Sequence, residues 1–199
     1  MKIGFNLLLW STHLDESQLP VVEDLKRAGY HGVEVPVFQG DEAHYRAMAR
    51  RLGDLGLERT VVSVVPSADL NPLDADPGVR AKAVDFLKRV LDNSAALGAT
   101  NICGPLHSTL GHFTGIGPTE DERKRCVEFH QTVGDHAKSL GIPITLEAIQ
   151  YDGWLTIEAF GRGLAELAAA TKVWRDFFPD PRQVYEGGFA VIREGWAKA

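Results

Sequence analysis

Glu147 and Glu158 are the side chains of this 199-residue chain best placed by sequence to do chemistry. They end two near copies, Ile142-Pro143-Ile144-Thr145-Leu146-Glu147-Ala148-Ile149 and Trp154-Leu155-Thr156-Ile157-Glu158-Ala159-Phe160, each following a glycine. A short, nearly continuous apolar run reads as a strand buried on both faces, and a carboxylate near its end emerges where sites are built. A charge there has to be paired, protonated or bound to a cation, because its bare burial is costly. His107, in the loop after a fourth strand-like run, lies where the carboxyl ends of parallel strands gather, although a loop histidine is also commonly just solvated. Glu34, inside an apolar run, reads as a buried structural carboxylate.

Other chemistries find little support. Cys103 and Cys126 are the two cysteines, too few for a disulfide framework or a thiolate metal cluster. A formal net charge of -6 and no long basic run give no footprint for nucleic acid. The loop Gly111 to Gly117 lacks the Lys-Ser/Thr ending of a phosphate loop. His13, His31, His44, His112, His130 and His136 show no close metal-ligand spacing. Glu120 to Arg125 reads as a solvated helix start. Hydrophobic residues make up 44% and no run reaches the ~18 apolar residues of a membrane span. With an N-terminus that enters directly into a strand-like pattern, the expectation is a cytoplasmic protein, one domain over residues 1–199, acting on a small polar molecule, with no nucleic-acid or membrane partner.

The elements that must position these residues alternate strand and helix, which predicts an α/β fold with a parallel sheet. Strands are expected at Ile3–Leu9, His31–Phe38, Arg59–Val65, Thr100–Cys103 and Ile142–Ile149. Helices are expected at Asp15–Ala28, Glu42–Leu55, Gly78–Leu97 and from Thr119 to Leu140. Gly29, Gly56, Gly98 and Gly141 stop them in turn. Trp154–Phe160, a helix Leu164–Phe178 and a last helix Gln183–Ala197 complete the pattern.

This spells five-eighths of a (β/α)₈ barrel, and then the count fails, since a full barrel takes about 250 residues. The five Cα steps from Ile149 to Trp154 span at most ~16–18 Å, too short for a crossover between neighbouring parallel strands. The fold class expected is therefore a TIM-barrel-derived α/β fold with about six strands. It is irregular at 149–154, where Asp152-Gly153 closes an antiparallel hairpin or the second run sits elsewhere in an open or swapped barrel.

Gly4-Phe5-Asn6 with Trp10, Gly32-Val33-Glu34-Val35, Gly104-Pro105-Leu106-His107-Ser108, Leu146-Glu147-Ala148 and Ile157-Glu158-Ala159-Phe160 together resemble the xylose isomerase-like TIM barrels. Within them the likeness is to the sugar isomerase/epimerase branch that includes D-tagatose and D-psicose 3-epimerases. The resemblance implies an isomerase of carbohydrate metabolism that moves a proton next to a ketose carbonyl through an enediolate. Glu147 and Glu158 are then both the acid/base pair and ligands of a divalent cation, Mn²⁺, Mg²⁺ or Co²⁺. Asn6, Trp10 and Phe160 match positions that line the family's sugar pocket, and His107, in the loop after the fourth strand, is expected to bind substrate with them. The family's sixth and seventh βα units, with an Asp, a His and a substrate-binding Arg, have no counterpart between the two Glu runs. The alternative implied is an impaired remnant lacking half of the metal ligands. An incomplete ring of strands is also expected to leave apolar edges and to self-associate.

Overall fold

Short polar side chains start three of the described helices, and glycines end three. Asp41 accepts from the His44 amide to cap the helix Glu42–Asp54, and Asp76 accepts from the Gly78 amide ahead of Pro77–Leu97. Thr119 and Glu122 form a reciprocal capping box at Glu120–Leu140, so the charged run there is the helix start expected. Gly29, Gly98 and Gly141 close the helices Leu19–Ala28, Pro77–Leu97 and Glu120–Leu140 with positive φ, where a side chain would be strained.

The computed structural model describes residues 2–112, 114–145, 154–157, 178 and 180–196. In chain order these give β1 (Lys2–Asn6), α1 (Leu19–Ala28), β2 (Gly32–Pro36), α2 (Glu42–Asp54), β3 (Glu58–Val62), α3 (Pro77–Leu97), β4 (Ile102–Cys103), α4 (Glu120–Leu140), β5 (Trp154–Ile157) and α5 (Pro181–Trp196). The first strand stops short of the expected Leu9. Asn6 turns its side chain to accept from the Leu8 amide, and Leu7–Leu9 wind into a 3₁₀ turn whose three leucines are buried without sheet pairing.

The described strands form one sheet in the order β4-β3-β2-β1-β5, and every neighbouring pair is parallel. Ile144 adds a parallel bridge to Ile102 outside β4, with the Thr145 amide 2.8 Å from the Ile102 carbonyl. The two similar runs therefore lie at opposite margins: the first begins beside β4, and the second pairs with β1 in the register Lys2 with Trp154 through Phe5 with Ile157. This corrects the antiparallel hairpin offered for them, because β1 supplies Trp154–Ile157 with a parallel partner. The sixfold set of parallel segments is the incomplete TIM-barrel-like α/β fold expected.

Alternation along the strands sorts the two faces. Ile3, Phe5, Val33, Val35, Val61 and Ile102 pack into a core with Val22 and Leu25 of α1, Tyr45 and Leu52 of α2, Leu87 and Leu91 of α3 and Val133 of α4. The other face carries Gly4, Asn6, Gly32, Glu34, Thr60 and Cys103. Gly4 and Gly32 stand opposite each other one layer below Asn6 and Glu34, and Lys2 pairs with Glu58 across β2 beneath them.

Candidate active site

Asn6 and Glu34 are paired residues on β1 and β2, 1% and 8% exposed. The Asn6 Nδ2 donates to Glu34 Oε2 at 2.7 Å. The other oxygen, Oε1, accepts from the Thr60 hydroxyl at 3.3 Å and the Cys103 thiol at 3.1 Å. Side chains of four successive strands thus meet on one carboxyl. In barrels, inward side chains of alternate strands share a layer, which is why Cys103 of β4 reaches Glu34 of β2. Burial pushes the Glu34 carboxyl above the usual range, and the bonds from Cys103, Thr60 and Asn6 pull the other way. Burial dominates, so the group holds its proton to higher pH than an exposed glutamate. Glu34 is the buried structural carboxylate expected; Thr60 and Cys103 were not foreseen as its partners.

Trp10 follows the 3₁₀ turn and leans on Phe5, with ring centroids 5.3 Å apart, and on Tyr185 of α5 at 6.3 Å. Its indole thus rests partly buried at the rim of the core. His107 is exposed in the loop after β4. It borders a cleft of about 420 Å³ with Asn71, Ser108, His112, Thr114 and Glu122, and the described lining includes neither Asn6 nor Trp10. Glu147, Glu158 and Phe160 lie outside the described residues. Of the six site residues read from sequence, the structure thus describes Asn6, Trp10 and His107, two on the β1 side and one in the loop after β4.

The β4 loop is held to the sheet by Gly104. At φ 126 it lies against β3, and a Cβ there would stand 2.0 Å from the Ser63 carbonyl oxygen. Ser63 in turn donates its hydroxyl to the Val37 carbonyl.

A second cluster binds the loop after β1 to α2. His13 and His44 stack with centroids 4.4 Å apart, and His44 Nε2 donates to the Leu14 carbonyl. Tyr45 gives its proton to the Gln39 carbonyl, which leaves its oxygen to accept from His13 Nδ1 at 3.3 Å. Burial first, and then the neighbouring His44, hold the His13 pKa below its usual value; Asp15 and the Gln39 carbonyl oppose them. A histidine favoured neutral in the fold contributes stability above its unfolded pKa of 6.5 and loses it as pH falls toward the lowered folded value. Urea unfolding of the wild type and His13→Gln should therefore show the wild type losing ground to the variant between pH 7 and pH 5. A constant difference would remove the role. The remaining helix histidines have separate partners: His130 is bonded within α4 to Cys126, and His136 reaches Asp92 of α3 at 2.8 Å.

Among the described residues, no group of three or more His, Cys, Asp or Glu side chains could hold a metal ion. Glu34 does not fit as a ligand, because its oxygens already face three donors. Among the described residues, no helix is long and apolar enough to cross a membrane.

Comparison with known proteins gives a consistent likeness. The family model described as "Xylose isomerase-like TIM barrel" matches residues 22–162. The chain is 25% identical over 166 residues to the L-ribulose 3-epimerase of Mesorhizobium japonicum, 82% of this chain and 55% of that protein. It is 28% identical over 162 residues to the ketose 3-epimerase of Arthrobacter globiformis, 75% of this chain and 51% of that one. The crystal structure of a His-tagged D-allulose 3-epimerase from Methylomonas sp., in complex with D-allulose, superposes with a TM-score of 0.84 at 17% identity, over 98% of this chain and 96% of the other, a likeness of fold. The chain spans about half the length of the curated relatives it matches.

Proposed function

Since the chain belongs to the xylose isomerase-like TIM barrel family, we propose that it is a sugar epimerase that inverts carbon 3 of a free ketose. The observation that carries this reading is the run of sequence likeness to ketose 3-epimerases across three quarters or more of the chain. The buried polar layer at the ends of β1 to β4 supports it, since a sugar pocket needs fixed donors and acceptors among apolar walls.

Glu147 and Glu158 are the proposed acid/base pair. One carboxylate takes the proton from carbon 3 and the other returns a proton to the opposite face, so that configuration inverts while atoms and charge balance. The last described pair of β5 is Ile157 with Phe5, the residues that precede Glu158 and Asn6 in the sequence. Asn6, Trp10, His107 and Phe160 are proposed to bind the sugar, Trp10 and Phe160 by stacking on its apolar faces. A divalent cation, in this reading, is held by Glu147 and Glu158 and supplies polarisation of the ketose carbonyl when bound. With two protein ligands its affinity is expected to be weak.

Incubation of the protein with free ketoses and Mn²⁺ in D₂O tests the reaction. Deuterium entering at carbon 3 together with the epimeric sugar is the expected result. Exchange no faster than in buffer with Mn²⁺ would end the epimerase reading in favour of an inactive remnant. Calorimetric titration should show Mn²⁺ binding at millimolar concentration, weakened in Glu158→Gln; binding unchanged by that substitution would displace Glu158 as a ligand.

A further inference from the structure

The 3₁₀ turn Leu7–Leu9 begins with its first orphan donor satisfied by a side chain: the Leu8 amide donates to Asn6 Oδ1 at 2.8 Å. The turn then delivers Trp10, whose amide donates to the Leu7 carbonyl at 3.0 Å, as does that of Ser11 at 3.1 Å. The amide of Asn6 can serve this turn in one orientation. Flipped, its NH₂ would face the Leu8 N–H, donor against donor, in a site that is 1% exposed. The acceptor on the other side, Glu34 Oε2, 2.7 Å from Nδ2, favours the working orientation. Glu34 cannot easily swing away, because Thr60 and Cys103 hold its second oxygen from β3 and β4.

We propose that Glu34 is a positioning residue, which fixes the Asn6 amide and through it the turn that sets Trp10 in place. The order of action runs from β3 and β4 to Glu34, from Glu34 to Asn6, and from Asn6 to the Leu8 amide. The bonds from Asn6 to Glu34 and from the Leu8 amide to Asn6 join different elements, so removing Glu34 acts on the turn through Asn6. That Trp10 then serves a sugar rests on the epimerase reading; the dependence of the turn on Glu34 does not.

Amide hydrogen exchange at Leu8, followed by NMR on the free protein, is the test. In Glu34→Leu it should speed up about tenfold relative to the protein's helices, the scale of a lost cap read through local opening. Glu34→Gln, whose carbonyl still accepts from Asn6 while its NH₂ donates to Thr60 and Cys103, should restore the slow rate. In an Asn6→Ala background, Glu34→Leu should add nothing at Leu8, since the link is already cut. Leu8 exchange unchanged in a folded Glu34→Leu, or equally fast in the Gln variant, would overturn the proposal. Should Glu34→Leu fail to fold, the Asn6 side-chain ¹⁵N signal of the wild type decides. It should titrate together with the Glu34 carboxyl carbon and cease to titrate in Glu34→Gln; an Asn6 signal indifferent to Glu34 would be equally fatal. Absence of ketose turnover in the wild type bears on the epimerase reading and leaves these outcomes intact.

Discussion

Glu147→Gln and Glu158→Gln should each lower ketose epimerisation by ~10²- to 10⁴-fold, the range over which a placed acid or base acts. Gln keeps the shape and a hydrogen-bond acceptor, but it cannot take a proton from carbon 3. The two substitutions are not equivalent in what they leave behind. With one carboxylate intact, a proton can still leave from that face and return to it. One variant should thus retain deuterium exchange for the substrate while losing the epimer, and the other should show the same for the product. Exchange and inversion, measured together by NMR in D₂O, separate the assignments. Either variant epimerising at the wild-type rate removes its glutamate from the mechanism, and loss of both activities with loss of circular dichroism would mark a folding role instead.

Gly104→Ala should be the most damaging small substitution in the described fold, costing about 3 kcal/mol or more. Two penalties combine. The residue sits at φ 126, which a Cβ disfavours, and the new carbon would stand 2.0 Å from the carbonyl oxygen of Ser63. That oxygen belongs to backbone and cannot rotate aside, so β3 and β4 must part where Cys103 meets Glu34. For a chain of this size the loss corresponds to a fall of about 6–12 °C in Tm. Gly53→Ala is the control: it lies inside α2 with nothing within 4 Å of its added carbon, and should stabilise by roughly 0.5–1 kcal/mol. Comparable melting of Gly104→Ala and wild type would mean that the two strands yield easily at this point.

Local signals carried most of the architecture into the sequence. Asp41, Asp76 and Thr119 announce helix starts, Gly29, Gly98 and Gly141 announce ends, and the structure follows each. Leu7–Leu9 misled because an unbroken apolar run looks like continued strand, whereas the decisive event is a side-chain bond from Asn6 to the next turn. The place of Trp154–Ile157 was not legible for a different reason. Its own residues specify a buried strand, but its partner is at the other end of the chain, and pairing register leaves no local mark. The polar layer left a faint trace. Gly4 and Asn6, Gly32 and Glu34, and Thr60 share one parity on three consecutive apolar strands, and that repeated break on the same face is the signal by which the Glu34 network could be found. The stack of His13 on His44 has no such trace, since a loop and a separate helix bring it together.

β1 is flanked on both sides, by β2 and by β5, although the latter is the last strand of the described sheet to be made. A ribosome adding ~5–20 residues per second needs roughly 8–30 s to travel from β1 to the end of β5. Throughout that interval the first strand of the described sheet presents bare amide and carbonyl groups along its outer margin. Depleting chaperones during synthesis should therefore lower the yield of this protein.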